Sequence, residues 1–97
     1  MDRDGFGVLD SLYGVVSDRL EEKPRGSYTW SIASRGVEYV ARKVAEEAVE
    51  TLIEALRGNR EGVIREASDL LYHLVVLLAM CGVKPGDVGS ELRRRMK

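Results

Sequence analysis

The run from Leu70 to Cys81 constrains the fold of this chain more than any other part of its sequence. Only Tyr72 and His73 interrupt a series of apolar residues there. Read as a helix, the run carries apolar side chains around nearly its whole circumference and must be covered on every side. A chain of 97 residues has few other helices to provide that cover. We therefore predict an all-α bundle of four to five short helices that homodimerisation completes.

Apolar residues also recur at helical spacing in the rest of the chain. No segment alternates with the period of two that is typical of a strand. Clusters of glycine and proline interrupt the helical pattern at several points. We predict a single domain over residues 1–97, with helices at about 6–21, 27–35, 37–57 and 60–81 and a last short helix that begins near Pro85.

The sequence Arg57-Gly58-Asn59 separates the two longest predicted helices. Gly58 suits the left-handed conformation that commonly ends a helix, and Asn59 suits the position that begins one. These two helices should therefore fold back against each other in antiparallel fashion. The helix before the turn carries an apolar stripe, which comprises Val40, Val44, Ala48, Leu52 and Leu56.

Two short acidic strings lie on either side of this turn, and both flank apolar helix faces. Residues three and four apart share a face of a helix. Glu46, Glu47 and Glu50 therefore project together from one helix, and Glu66 and Asp69 project together from the next. Five carboxylates at close range repel one another unless a cation lies among them. Oxygen-rich groups of this kind suit Mg²⁺, which also binds substrate phosphates. The sequence predicts a metal-dependent enzyme that acts on phosphates.

Each of these side chains also has a plainer explanation. Acidic residues on helices are commonly solvated surface. Lys43 precedes the first acidic string on the same face, where an ion pair is worth only about 0.2–0.5 kcal/mol; we favour a phosphate ligand. His73 faces the predicted site, but a lone histidine on an apolar helix is more often a core residue. Arg94 lies in a run of arginines typical of a solvated helix end, which can also reach a polyanionic substrate.

Composition and termini narrow the class of protein further. Fifteen basic and 16 acidic side chains leave a net charge of −1, which argues against a nucleic-acid partner. The single cysteine, Cys81, fits a reducing compartment, and we expect a small buried side chain there. Residues Met1 to Asp4 lack a signal-peptide pattern, and the apolar run from Leu74 to Val83 is shorter than the roughly 20 residues that span a bilayer. We expect a soluble, cytoplasmic protein without a membrane partner.

Three sequence strings together resemble the phosphoribosyl-ATP pyrophosphohydrolases of histidine biosynthesis. They are Ser27-Tyr28-Thr29, the string from Lys43 to Glu50, and the string from Glu66 to Leu74. The paired acidic strings alone are shared with the wider superfamily of all-α, MazG-like nucleotide pyrophosphohydrolases. The first string and Asp69-Leu70-Leu71-Tyr72-His73 narrow the resemblance to the histidine enzyme. Ala45 departs from the glycine common in the family, but alanine is the better helix former and adds only a methyl group.

The resemblance implies hydrolysis of 1-(5-phosphoribosyl)-ATP to 1-(5-phosphoribosyl)-AMP and pyrophosphate, with Mg²⁺ as the cofactor. It implies the stand-alone form of the enzyme, because the chain is too short to include the cyclohydrolase to which the family is sometimes fused. Glu47 and Glu50 are then the catalytic residues. The metal ligands are drawn from Glu46, Glu47, Glu50, Glu66 and Asp69, and the residues that contact substrate are Ser27, Tyr28, Thr29, Lys43, His73 and Arg94.

Two other functions fit the same sequence. A housekeeping pyrophosphohydrolase for an ordinary or damaged nucleoside triphosphate would use the same metal chemistry without needing room for a second ribosyl phosphate. A helical dimerisation module would carry the acidic residues only as surface, and it would bind no Mg²⁺ saturably. The sequence leaves open the number of metal ions, which carboxylate acts as base, assembly beyond a dimer, and association with a separate cyclohydrolase.

Overall fold

The computed structural model describes residues 7–97. Residues Met1 to Asp4, in which we predicted no signal peptide, and the first position of the predicted helix 6–21 therefore lie outside the described residues. The described part is all-α, as predicted, and contains no strand. Its five helices are α1 (Gly7–Glu22), α2 (Tyr28–Ala33), α3 (Val37–Leu56), α4 (Arg60–Met80) and α5 (Pro85–Arg95).

The core forms where α1, α2, α3 and α4 meet. One side of α1 packs into it as its spacing predicted, with Val16 fully buried and Leu9, Leu12, Tyr13 and Leu20 partly buried around it. α3 and α4 share the most extensive contact in the chain, and α5 packs against α1. The fully or nearly fully buried apolar side chains are Val16, Ile32, Val40, Val75 and Val76.

The turn between α3 and α4 has the capping geometry that its sequence predicted. Gly58 has a φ of 69°, and its N–H donates to the Ala55 carbonyl at 3.1 Å. The next N–H, of Asn59, donates to the Glu54 carbonyl at 3.1 Å, which completes a Schellman motif. The Asn59 side chain then accepts from the Gly62 N–H at 3.1 Å and caps α4. This turn fixes how the two acidic strings face each other.

We expect Gly58→Ala to destabilise the fold, because an alanine in the left-handed region costs about 1–2 kcal/mol. Urea unfolding followed by circular dichroism measures this change. Gly14→Ala is the matched control, since Gly14 lies within α1 and an added Cβ there meets open space. That control should be neutral or slightly stabilising. Equal unfolding midpoints for Gly58→Ala and the unmodified protein would contradict the capping role.

Much of the apolar surface of α3 and α4 remains uncovered in the single chain. Leu52 and Leu56 are 55% and 81% exposed, although they belong to the predicted apolar stripe of α3. On α4, Ile64 and Leu71 are 51% and 41% exposed. The expectation of a buried Cys81 was wrong, because this residue caps the C-terminus of α4 and is exposed there.

No helix among those described is both long enough and apolar enough to cross a bilayer by itself. α4 and α5 meet the criterion of length and composition only when taken together, and they are bent by 107° at the break between them.

Candidate metal centre

Three of the predicted carboxylates converge between α3 and α4. Glu47 from α3 and Glu66 and Asp69 from α4 each place an oxygen within 4.8 Å of the other two. Oxygens bound to one octahedral Mg²⁺ are about 3.0 Å apart when they are neighbours and about 4.2 Å apart when they are opposite, since each Mg–O distance is about 2.1 Å. The three side chains would therefore move inward to share one divalent cation.

The burial of this group gives an independent indication that a cation belongs there. Glu47 is only 9% exposed, and its Oε1 atom is buried without a hydrogen-bond partner among the described residues. Glu66 Oε1 is in the same condition. A buried carboxylate oxygen without a donor or a cation is costly to keep. Both the number and the chemistry of these donors fit a hard divalent cation.

Repulsion within the cluster acts on the protonation of Glu66. Burial and the negative charges of the neighbouring Glu50, Asp69 and Glu47 carboxylates raise the pKa of Glu66 above its usual 4.5. Arg65 lies 3.7 Å from the other Glu66 oxygen, but it is largely exposed and neutralises little of this charge. The cluster is therefore short of positive charge.

The other two predicted acids have different surroundings. Glu50 adjoins Glu66 but lies outside the group of three and is exposed. Glu46 points to the surface and lies 3.4 Å from the Lys43 ammonium. Burial lowers the pKa of Lys43, but hydrogen bonding to Glu46 and the nearby Tyr28 raise it by more, so Lys43 remains protonated. The structure thus brings together Glu47, Glu66 and Asp69, with Glu50 beside them, and leaves Glu46 to an ion pair.

A chain of hydrogen bonds joins α2 to the acidic cluster. His73 is 5% exposed, and its Nδ1 lies 2.7 Å from the Asp69 carbonyl oxygen. Because a carbonyl can only accept, Nδ1 carries the proton, and the Nε2 atom of the neutral ring accepts from the Tyr28 hydroxyl at 2.8 Å. Burial raises the pKa of Tyr28, Lys43 lowers it and Glu47 raises it further, so the hydroxyl remains a donor. His73 thereby fixes Tyr28, which is half exposed, beside the cluster.

The remaining residues of the Ser-Tyr-Thr string hold α2 in place. Ser27 Oγ accepts from the Trp30 N–H at 3.1 Å and caps α2. Thr29 is buried and hydrogen-bonds to the Tyr72 hydroxyl. The Tyr72 ring also stacks on Tyr28, with centroids 6.0 Å apart. Tyr72 was not among the site residues that we predicted from the sequence. Its position next to His73, which we did predict, could have indicated it.

Comparison with known proteins agrees with this geometry. Residues 9–96 match the family model described as phosphoribosyl-ATP pyrophosphohydrolase. The chain belongs to this family. It is 56% identical over 90 residues to the phosphoribosyl-ATP pyrophosphatase of Metallosphaera sedula, a match that covers 93% of this chain and 97% of the relative. It is 52% and 51% identical over 90 residues to proteins of the same name from Saccharolobus islandicus and Saccharolobus solfataricus, covering 93% of this chain and 96% of each relative.

Membership in the phosphoribosyl-ATP pyrophosphohydrolase family confirms the resemblance that the sequence strings predicted and makes the chain a hydrolase of phosphoanhydrides. Two positions singled out in the sequence lie away from the cluster's contacts. Arg94 on α5 donates to Glu91 of the same helix, at 3.1 Å from its Nε atom. Ala45 is exposed and lies on a different face of α3 from Glu47. Its methyl group therefore does not fill the space among the acidic side chains.

Proposed function

We propose that this member of the family hydrolyses 1-(5-phosphoribosyl)-ATP to 1-(5-phosphoribosyl)-AMP and pyrophosphate in a Mg²⁺-dependent reaction, the second step of histidine biosynthesis. The observation that carries the proposal is the convergence of Glu47, Glu66 and Asp69, two of them with a buried oxygen that lacks a partner. The substrate follows from the names of the relatives, which match this chain over nearly its full length. The cytoplasmic location stays a prediction.

The reaction requires neutralisation of a triphosphate and placement of a water molecule. Glu47, Glu66 and Asp69 would hold the Mg²⁺, with Glu46 and Glu50 as the other predicted ligands. When bound, that ion would supply positive charge to the phosphate oxygens and lower the cost of charge that develops on the leaving pyrophosphate. Glu50 is exposed beside the group of three, which suits it to accept a proton from the attacking water. The water oxygen bonds to phosphorus as the α–β anhydride bond breaks.

Side chains next to the cluster are proposed to bind and orient the substrate. The protonated Lys43 is about one-quarter exposed beside the acids, where it can contact phosphate oxygens. Tyr28 presents half of its surface to solvent and is oriented by His73, so it can contact the nucleotide. Ser27 and Thr29 act mainly by holding in place α2, the helix that begins at Tyr28. A substrate contact for Arg94 stays a prediction.

We also propose that the enzyme is a homodimer. A groove lined only by apolar residues runs along α4, where Leu71, Leu74 and Leu78 meet Leu9, Val88 and Leu92. Exposed Leu52 and Leu56 on α3 add to the uncovered apolar surface. Contiguous apolar surface of this kind is uncommon on a monomer. A second copy offers the same surface in return, as two-fold symmetry requires.

Incubation of the purified protein with phosphoribosyl-ATP tests the proposed function directly. We expect stoichiometric release of pyrophosphate and 1-(5-phosphoribosyl)-AMP with Mg²⁺, and none with excess EDTA. ATP is the comparison substrate, because it has the same triphosphate without the second ribosyl phosphate. Turnover of ATP at a rate equal to or greater than that of phosphoribosyl-ATP would favour a general nucleoside triphosphate pyrophosphohydrolase instead.

Binding of Mg²⁺ should weaken as the pH falls, because ligand carboxylates must be deprotonated. The raised pKa of Glu66 extends this competition with protons above pH 4.5. Without metal, protonated Glu66 favours the folded state below the unfolded pKa, and this contribution is lost as the pH rises through the raised pKa. Thermal melts with Mg²⁺ and with EDTA should therefore differ more at pH 7.5 than at pH 5. If Mg²⁺ raised the melting temperature equally at pH 5 and pH 7.5, these side chains would be excluded as ligands.

A further inference from the structure

A second polar groove lies beside the acidic cluster, at the loop between α1 and α2. It encloses about 650 Å³, within the usual range of small-molecule sites, and is open to solvent. Its lining combines two cations with hydroxyl groups and aromatic rings, from Lys23, Arg25, Ser27, Tyr28, Trp30 and Ser31. No acidic side chain among residues 7–97 lines it. The groove therefore carries positive charge, whereas the acidic cluster carries negative charge.

The two cations of this groove have no acidic partner in the part of the chain that the structure describes. Neither Lys23 nor Arg25 forms an ion pair with any residue in the range 7–97. Lys23 has a φ of 54°, the one non-glycine residue with positive φ in that range. Its ammonium lies 5.4 Å from the centroid of the Trp30 ring, a cation–π distance. The loop thus holds a lysine in an uncommon backbone conformation, with its ammonium over the Trp30 ring.

Tyr28 is shared by the groove and the catalytic region. Its side chain forms part of the groove wall, while its hydroxyl bonds to His73, which in turn bonds to the Asp69 carbonyl. A ligand that extends past Tyr28 therefore reaches from the acidic cluster into the basic groove. With Mg²⁺ held by the acidic cluster, such a ligand would carry negative charge at both ends.

We propose that the groove formed by Lys23, Arg25 and Trp30 binds the ribose 5-phosphate end of the substrate, while the triphosphate lies at the acidic cluster. This inference rests on the proposed function. The phosphoribosyl group is attached to the adenine, so its phosphate lies at the opposite end of the molecule from the triphosphate. A phosphate monoester carries close to two negative charges at neutral pH, which the two cations match. The groove then distinguishes phosphoribosyl-ATP from an ordinary nucleoside triphosphate.

The fluorescence of Trp30 provides a binding assay that does not depend on activity, because it is the single tryptophan of the chain. Titration with ribose 5-phosphate should change this fluorescence saturably, and titration with ribose should not. The double variant Lys23→Gln/Arg25→Gln should bind ribose 5-phosphate about tenfold more weakly or worse, since two charged hydrogen bonds are lost. Equal affinity of the variant and the unmodified protein would overturn the proposal. Tighter binding of pyrophosphate than of ribose 5-phosphate would also overturn it, since the groove would then bind the leaving group.

A kinetic comparison tests the same proposal with the whole substrate. In the double variant, KM for phosphoribosyl-ATP should rise about tenfold or more, and kcat should change much less. Arg60→Gln/Lys97→Gln is the matched control, because it removes two exposed positive charges outside the groove. That control should retain the original KM, and circular dichroism should show the same helical content in both variants. An equal rise in KM in the control would attribute the effect to net charge and overturn the proposal.

The two proposals fail in distinguishable ways. If the unmodified protein releases no pyrophosphate from phosphoribosyl-ATP, the proposed function is wrong, and the fluorescence titration still decides whether the groove binds a sugar phosphate. If the unmodified protein is active and the double variant matches it in both KM and ribose 5-phosphate affinity, only the assignment of the groove is wrong.

Discussion

Glu47→Gln should lower kcat/KM for pyrophosphate release by about 100-fold or more, equivalent to about 2.7 kcal/mol of barrier. The amide keeps the shape of the side chain but loses the charge that would bind Mg²⁺. Because Glu47 is nearly buried beside Glu66 and Asp69, water cannot take over its proposed ligand role without rearrangement. Glu50→Gln should lower turnover by a similar factor through loss of the proton acceptor. Pyrophosphate release at limiting Mg²⁺ is the measurement.

In the absence of metal, Glu47→Gln should be more stable than the unmodified protein. Removing one of three converging carboxylates relieves repulsion and leaves a neutral group in a buried position. We therefore expect the melting temperature of Glu47→Gln in EDTA to exceed that of the unmodified protein. Addition of Mg²⁺ should no longer raise the melting temperature of the variant. Glu21→Gln on the exposed part of α1 is the control and should change neither quantity. If Glu47→Gln loses activity but Mg²⁺ still raises its melting temperature as much as before, the result would argue against Glu47 as a ligand.

Leu78→Lys should disrupt folding and association together. Leu78 lines the apolar groove beside Leu74 and Val88, on the α4 face that we propose is covered by a second copy. A buried, unpaired charge there costs several kcal/mol, a large part of the stability of a small domain. We expect a protein that is unfolded, aggregated or monomeric, and inactive. Sedimentation and circular dichroism together distinguish these outcomes.

Ser90→Lys is the control for this experiment, because it introduces the same charge at an exposed position of α5. It should remain folded, dimeric and active. A stable monomer of the unmodified protein at micromolar concentration would exclude the dimer. A folded, dimeric and active Leu78→Lys variant would place the interface on another surface, with exposed Leu52 and Leu56 of α3 as the alternative.

Local signals in the sequence were sufficient to predict the helices. Gly58 and Asn59 supply caps whose chemistry depends only on neighbouring backbone groups, and Pro85 begins α5 as expected. The periodicity of α3 also predicted that an apolar stripe exists. It did not indicate what covers the stripe, because exposure of Leu52 and Leu56 depends on tertiary and quaternary packing. Cys81 was misplaced for a related reason: an apolar run does not mark which of its last residues leaves the helix.

The candidate site was predictable to the level of a shared helix face. Spacing grouped Glu47 with Glu50, and Glu66 with Asp69, and the structure places these groups side by side. Spacing alone did not separate Glu46, which pairs with Lys43, from Glu47, since both lie three or four residues before Glu50. The groove at Lys23 was not predicted, because it arises from the conformation of the loop between α1 and α2.

Helix α3 has Glu47 on the inside of the chain and much of its apolar surface on the outside. Leu56 follows Glu47 by nine residues, or two and a half turns, so the two lie on opposite sides of the helix. In the function that we propose, metal binding relieves the charge on one side, and association with a second copy covers the other. By mass action, both processes add to the apparent stability of the folded state. Chelation and dilution should therefore lower the melting temperature in the same direction, so any stability quoted for this protein has meaning only with its Mg²⁺ and protein concentrations stated.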